Sequence, residues 1–256
     1  MRALPALAKT TFAGFLLSLA VGLGAALGTR LGVWSIGVGL LEIFPWCIGI
    51  GILTVIVGVV WAIWAMIAND STGARYGLIG LIGAIVVLYT PLTDLSDAHG
   101  LPAIADATTD TEHPPVFVSL LGQRGDHPSS PKYDGSRPMT FDGKTSTISL
   151  VQHKYYGEIH SVAILMSPER LFKRAVSAAE AMGWDIVAIA PDEGRIEATD
   201  TSFFFGIKDD IVIRVKPAGM GARLDIRSKA RHEDDYYANR NILRIRAFMR
   251  TLADTP

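Results

Sequence analysis

The sequence contains a single cysteine, Cys47, among 256 residues. A lone thiol cannot form an intramolecular disulfide, and it excludes metal sites built from several cysteines. The six histidines do not occur in the H-E-x-x-H spacing of zinc proteases. The phosphate-binding G-x-x-x-x-G-K-[ST] and the nucleophile-bearing G-x-S-x-G motifs are missing as well. We therefore predict no metal and no cofactor.

Charge is nearly missing from the first 93 residues, which contain four of the 24 basic and two of the 25 acidic residues. These six residues are Arg2, Lys9, Arg30, Glu42, Asp70 and Arg75. The chain thus divides into an apolar N-terminal region and a charged but nearly neutral C-terminal region. A formal net charge of −1 gives no general attraction to polyanions, and we predict no nucleic-acid partner.

Three uncharged runs predict a transmembrane region over residues 1–93, with spans at about 12–28, 46–68 and 76–92. A helix crosses a bilayer with about 20 apolar residues, in a range of roughly 17–25. The apolar segment 31–44 is shorter and contains an acidic residue, so we predict an interfacial or re-entrant segment there. The lipid bilayer is the first predicted partner.

The flanking basic residues predict the orientation of these spans. Arg2 and Lys9 precede the first span and Arg75 precedes the third, whereas Arg30 alone follows the first. Because cytoplasmic loops carry the excess of basic residues, we expect the C-terminal region on the outside. The predicted location is a bacterial inner (cytoplasmic) membrane, with that region facing the periplasm or the cell exterior.

Small residues recur at four-residue spacings along the first span. They are Gly14, Ser18 and Gly22, followed by Gly24 and Gly28. Such spacings allow helices to approach closely. We favour packing among the chain's own spans, and a homo-oligomer formed through these glycines is the alternative.

Residues 94–147 are rich in Asp, Thr, Pro, Gly and Ser and lack helical or strand periodicity, which predicts an extended linker and a long loop. Residues 148–256 predict an α+β domain, an antiparallel sheet with two helices on one face. Strands are expected at 149–153 and 159–166, and a helix is expected to begin at Ser167-Pro168.

The end of the chain predicts a hairpin followed by an amphipathic helix. Apolar residues alternate on both predicted strands, and one register places Arg214 opposite Asp225. The last helix, about 236–252, gathers Ile242, Ile245, Phe248, Met249 and Leu252 on one arc and Arg240, Arg244, Arg246 and Arg250 on the other.

The first candidate site lies where the second hairpin strand meets the following turn, at Arg227, Ser228, Arg231 and Asp235. Arginine forks bind carboxylates and phosphates in a bidentate manner. The acidic residues 233–235 are the simplest partners, so an internal ion-pair network is favoured over a ligand site.

A second candidate is the acidic pair Asp209 and Asp210. Adjacent residues of a strand point to opposite faces of the sheet, so the two carboxylates are not expected to converge on one substrate atom. A structural role beside an arginine is the favoured interpretation.

Several stretches resemble the domain-of-unknown-function family numbered 1499, notably GWDIVAIAPDEGRIEATDTSFFFGIKDDIVIRV, DIRSKAR and NILRIRAF. The stretches TDTEHPPVF and GTRLGVWSIGVGLLE resemble its three-span bacterial members. The resemblance implies a membrane-anchored bacterial protein with no assigned activity. The residues that match the family pattern near its end are Arg227, Ser228, Arg231, Asn241, Arg244 and Ile245, which adds Asn241 and Arg244 to the candidate cluster.

Two functions follow from this sequence. The favoured one is a binding or structural module of the cell envelope, with an envelope protein or an anionic ligand as its partner. The alternative is a membrane-anchored hydrolase-like enzyme that uses the Arg/Asp cluster.

Overall fold

The computed structural model describes residues 3–69, 71–98, 100–125, 128–232 and 239–255. The chain forms two compact units. The N-terminal unit comprises Met1–His99 together with the short segment Phe203–Gly206, and the C-terminal unit comprises Gly100–Ser202 and Ile207–Pro256.

The N-terminal unit consists of three packed helices, α1 (Ala3–Arg30), α2 (Phe44–Ala68) and α3 (Ala74–Ala98). Two stretches are long and apolar enough to cross a membrane, Leu4–Arg30 and Val38–Ala68, and Ala74–Tyr89 is a shorter apolar helix. The N-terminal helices are therefore compatible with membrane anchoring, while the third span remains a prediction. Part of segment 31–44 is a π-helix, Val38–Ile43, that continues directly into α2.

The small residues of α1 lie against neighbouring parts of the same unit. A Cβ atom added at Gly22 would lie 2.9 Å from the Sγ of Cys47, and the Ser18 hydroxyl donates to the carbonyl of Cys47 at 2.8 Å. Gly24 has no neighbour within 4 Å of such an atom. Most of the predicted small-residue face thus packs within the unit, as helices do when small side chains let their backbones approach.

The C-terminal unit is built on an antiparallel six-stranded sheet, which confirms the predicted α+β class. The sheet order is β1-β8-β7-β6-β5, and β4 pairs with β8 beyond β1 along the same edge. The strands are β1 (Asp106–Thr108), β4 (Val162–Ile164), β5 (Asp185–Ala190), β6 (Arg195–Thr201), β7 (Lys208–Ala218) and β8 (Gly221–Ala230), and the separate hairpin is β2 (Pro138–Phe141) with β3 (Lys144–Thr147).

One face of the sheet packs against α5 (Pro168–Ala181) and α6 (Arg240–Asp254). The Ser167 hydroxyl accepts from the Arg170 amide and caps α5, as predicted. The apolar residues of both helices and of alternate positions on β7 and β8 form the core, among them Leu171, Ala175, Ile211, Ile213, Leu224, Ile226, Ile245 and Phe248.

A further helix, α4 (Ile148–Tyr155), replaces the strand predicted at 149–153 and packs against the β2–β3 hairpin. The hydroxyl of Thr147 accepts from the Leu150 amide and begins this helix. The other predicted strand, 159–166, is shortened to the three residues of β4.

The predicted linker 94–147 instead contributes to the fold of the C-terminal unit from Gly100 onward. Within it, β1 joins the central sheet beside β8. Further along, Phe117 and Leu120 pack against Val212 on the face of the sheet opposite α5 and α6. Pairing with distant strands, rather than any local periodicity, orders this segment.

Candidate functional site

The sheet divides the predicted cluster into two groups. Even-numbered residues of β8, such as Ser228, face α6, while Arg227 lies on the opposite face beneath residues 106–133. Asp209 and Asp210 separate in the same way, toward α6 and away from it. The period-two alternation of a strand therefore keeps the candidate residues from forming a single site.

On the face away from the helices, Arg227 is 1% exposed and forms a bidentate pair with Asp106, at 2.7 Å from Nε and 2.8 Å from Nη2. Its guanidinium lies between the rings of Phe117 and Tyr133, with centroids at 4.9 and 5.5 Å. Lys229 donates to the same carboxylate at 3.1 Å. Arg227 is thus buried beneath residues that precede β2, among them Asp106, Phe117 and Tyr133.

Asp210 is buried on the same face and accepts from two arginines. Arg124 reaches its Oδ2 at 2.9 Å, and the Nε of Arg231 reaches its Oδ1 at 3.0 Å. Arg231 also donates to the hydroxyl of Thr199 at 2.8 Å. The carboxylate is held between two cations, which is the arrangement of a buried ion-pair network.

On the helix face, Asp209 accepts from Arg244 at 2.6 Å and from Arg240 at 2.9 Å. Arg244 also donates to the Ser228 hydroxyl at 3.0 Å, and that hydroxyl donates to the side-chain oxygen of Asn241 at 2.8 Å. Ser228, Asn241 and Arg244 therefore do meet. Arg244 belongs to the arginine arc of the last helix, yet it is only 8% exposed because it turns toward the sheet and these partners.

The predicted cross-strand pair between Arg214 and Asp225 is confirmed. Arg214 lies opposite Asp225 and donates to it at 2.8 Å, and Arg223 joins both Asp225 and Asp110. Burial alone would raise the pKa of Asp110, but amide donors from the following backbone and the guanidinium groups of Arg223 and Arg214 outweigh it and lower that pKa below 3.8.

Among the described residues, these arginines pair with acids far away in the sequence, whereas the sequence pointed to the neighbours at 233–235, which lie outside the described residues. Asp235, the acidic member of the predicted cluster, lies outside the described residues. Sequence reasoning also missed Glu197, which is fully buried and accepts from the amides of Val118, Ser119 and Leu120. In the sequence, Glu197 is distinguished from its neighbours only by a charge within a stretch that otherwise favours a β-strand.

A cleft of about 1160 Å³ opens within the C-terminal unit on the face of the sheet away from α5 and α6, and the first residues of α4 contribute to its lining. Its lining includes Asp106, Arg227, Lys229 and Tyr133. The buried hydroxyl of Tyr133 has no hydrogen-bond partner among the described residues. Burial and the neighbouring carboxylate of Asp106 raise the pKa of Tyr133, which keeps this hydroxyl a protonated donor.

The charges around the cleft are nearly balanced with a small positive excess. Arg227, Lys229, Lys132 and Arg137 oppose Asp106, Glu112 and Asp134. The single carboxylate of Asp106 forms ion pairs with both Arg227 and Lys229, so these three side chains together carry one surplus positive charge. The described residues contain no group of His, Cys, Asp and Glu that could hold a metal ion. The cleft therefore offers hydrogen-bond donors and a cation to a polar or anionic ligand.

The comparisons with known proteins identify a family but no activity. A family model described as "Protein of unknown function (DUF1499)" matches residues 106–252, from β1 to the last turns of α6. A search of the curated proteins finds no match. Because the family match covers more than half of the chain and nearly the whole C-terminal unit, the protein belongs to the DUF1499 family.

Proposed function

We propose that this protein is a multi-pass, three-span protein of the bacterial inner membrane. Its α+β domain faces the periplasm or the cell exterior and works as a binding module of the cell envelope. The membrane part of the proposal is supported by Leu4–Arg30 and Val38–Ala68, which are apolar and long enough to cross a bilayer. The orientation is supported by the distribution of basic residues around them.

The observation that carries the binding role is the cleft with its surplus cation and with the Tyr133 hydroxyl, for which the described residues supply no hydrogen-bond partner. Lys229 contributes three N–H donors, and Asp106 is its partner at 3.1 Å, so donor capacity remains for a ligand. The Tyr133 hydroxyl adds a second donor in the same cleft. A buried donor without a partner carries a free-energy cost that a ligand acceptor would relieve. These features suit a small anionic ligand.

The hydrolase-like alternative has less support from the geometry. Asp209 and Asp210 lie on opposite faces of the sheet, and each is bonded to two guanidinium groups. A buried carboxylate whose oxygens are already bonded to two guanidinium groups has little capacity left for a substrate. General acid–base catalysis instead requires a group within hydrogen-bond reach of the substrate.

The binding role is tested on the full chain in detergent, by thermal unfolding in a concentration series of inorganic phosphate and, separately, of citrate. We expect one of these anions to raise the melting temperature of the wild type, and we expect Lys229→Gln and Tyr133→Phe to weaken that rise at least several-fold. Lys216→Gln, which removes a lysine from an exposed position of β7, is the matched control. An equal rise in the wild type and in both cleft variants would contradict ligand binding in the cleft.

The orientation is tested separately with reporter fusions after Pro256. Alkaline phosphatase, which is active only outside the cytoplasm, should be active there, and a fluorescent reporter that folds only in the cytoplasm should stay dark. The reverse result would overturn the proposed location and leave the binding role to be judged by the anion series.

A further inference from the structure

The connection between β6 and β7 contains three consecutive phenylalanines, Phe203–Phe205. The exposed fraction is 84% for Phe203 and 54% for Phe204. Single exposed apolar residues are common on proteins, but adjacent bulky aromatic residues at a turn form an apolar patch, and such patches mark contacts with other molecules or with membranes.

By its contacts this segment belongs to the N-terminal unit. The Phe203 carbonyl accepts a hydrogen bond of 2.6 Å from Nη1 of Arg30, and the Phe205 ring meets the Phe44 ring edge-on at 5.4 Å. Gly206 has a φ of +68° and lies close to the Arg30 side chain, where an added Cβ would be 3.2 Å from Cγ. Glycine suits both this left-handed backbone and the close approach.

The two contact residues place the segment along the apolar helices. Arg30 is the last residue of α1, and Phe44 is the first residue of α2. Arg30 therefore ends the first candidate membrane span, Leu4–Arg30, and Phe44 lies near the start of the second, Val38–Ala68. Where a span ends, the hydrocarbon gives way to lipid headgroups, and this depth favours aromatic rings and basic side chains that reach toward water.

The surface beside the segment is apolar as well. Leu27, Leu31 and Val33 at the end of α1 and in the following turn are 53%, 76% and 67% exposed, and Trp46 at the start of α2 is 70% exposed. The exposed phenylalanines thus continue a belt that already presents large apolar side chains outward. Contact with lipid explains the exposed apolar residues of the helices and the exposed phenylalanine rings together. A protein partner at the phenylalanines would leave the exposed helix residues to be explained separately.

We propose that Phe203 and Phe204 insert into the headgroup and upper acyl region of the bilayer at the end of α1 and the start of α2. The segment would then act as an additional, interfacial anchor contributed by the β6–β7 connection. The Arg30 bond to the Phe203 carbonyl and the packing of Phe205 on Phe44 hold the segment at that depth. This inference is independent of the ligand cleft, so it can fail while the proposed binding role stands.

The test uses the full chain in vesicles of phosphatidylcholine and phosphatidylglycerol, with a nitroxide label at position 203. The single native thiol, Cys47, is buried and would first be removed by Cys47→Ser, after which Phe203→Cys provides the attachment site. Met220→Cys is the matched control, since Met220 is a 96% exposed apolar residue in the β7–β8 turn. The measurement is the collision rate of each label with oxygen, which concentrates in lipid, and with a water-soluble nickel chelate.

We expect the ratio of oxygen to nickel collisions at position 203 to exceed that at position 220 at least several-fold, and Phe204→Cys to give the same result. An equal ratio at the two turns would overturn the proposal, because it would place the phenylalanines in water. Low collision rates with both reagents would also overturn it, since they would show that protein covers the segment. Unchanged thermal unfolding of each labelled variant confirms that the comparison is made on folded protein.

Discussion

In the N-terminal unit many large apolar side chains point outward, whereas in the C-terminal unit such side chains form the core. Leu17, Ile56 and Ile85 of the three helices are each at least half exposed. The residues buried between these helices are mostly small, among them Ala8, Thr11, Ser18, Ala25, Thr54 and Ala84. In the C-terminal unit the buried set contains Ile211, Ile226 and Phe248, but also charged residues such as Arg227 and Asp210.

This difference is the one expected if lipid surrounds the first unit and water surrounds the second. In lipid there is no hydrophobic gain from hiding a leucine, so helices associate through close contact of small residues and leave the large ones outside. In water, large apolar residues drive the core, and a buried charge persists only when it is paired and hydrogen-bonded. The two units should therefore be sensitive to different substitutions. Added side-chain volume should destabilise the first unit, and loss of a charged partner should destabilise the second.

The largest effect is expected from Arg227→Met, which removes the main partner of buried Asp106. Breaking a buried pair from one side leaves the other charge uncompensated, which typically costs about 3–5 kcal/mol. Lys229 remains as a partner of Asp106 and keeps the loss toward the lower end of that range. The free energy of unfolding is measured on the full chain in detergent by pulse proteolysis across a urea series.

Arg246→Met is the matched control for this prediction. Arg246 is also paired with a carboxylate, Glu158, and also lies over an aromatic ring, that of Tyr156, but its side chain is 31% exposed and that of Glu158 is 50% exposed. An exposed pair stabilises by about 0–1 kcal/mol. Equal losses for Arg246→Met and Arg227→Met would mean that burial does not determine the strength of these pairs.

The next effect is expected from Gly80→Ala in α3. A Cβ atom there would lie 2.6 Å from the backbone of Thr11 and Phe12 in α1, so the two helices must separate. Overpacking of this kind costs about 1–3 kcal/mol. Gly24→Ala is the control, because nothing lies within 4 Å of its added Cβ and alanine is the better helix former. The free energy of unfolding of both variants is measured in mixed micelles with increasing SDS. If Gly24→Ala lost as much stability as Gly80→Ala, close packing of small residues could not be the cause.

These comparisons also show which parts of the molecule the sequence could predict. The apolar helices, the capped helix at Ser167 and the hairpin register of Arg214 with Asp225 all depend on neighbours within a few residues or on one facing strand. Periodicity and capping are sufficient for such features. The antiparallel α+β class follows from the same local signals.

The candidate site was less predictable because its partners come from far along the chain. Arg227 pairs with Asp106, which is 121 residues away, and Arg231 pairs with Asp210 from the adjacent strand. The segment around Asp106 has no strand-like periodicity of its own and becomes a strand only by pairing with β8. Without the tertiary structure, the acids at 233–235 were the simplest partners for this cluster, and the arginine expected beside Asp209 and Asp210 could not be named.

The smallest effect is expected from Asp110→Asn and from the pH dependence of that change. The Asp110 carboxylate forms ion pairs with both Arg214 and Arg223. Its pKa in the folded protein is lowered, so its contribution to stability is fully present above the unfolded-state value near 3.9 and is lost as the pH falls through the lower folded value. Because the Arg223 side chain is 40% exposed, solvent screens the interaction, and we expect Asp110→Asn to cost on the order of 1 kcal/mol at pH 7.

The difference in stability between Asp110→Asn and the wild type should shrink as the pH is lowered below about 4. Glu112→Gln, which changes an exposed neighbour, is the control and should match the wild type at pH 7 and at pH 3. A constant difference between pH 7 and pH 3, measured by urea unfolding, would show that Asp110 stabilises the domain through packing and neutral hydrogen bonds rather than through its charge.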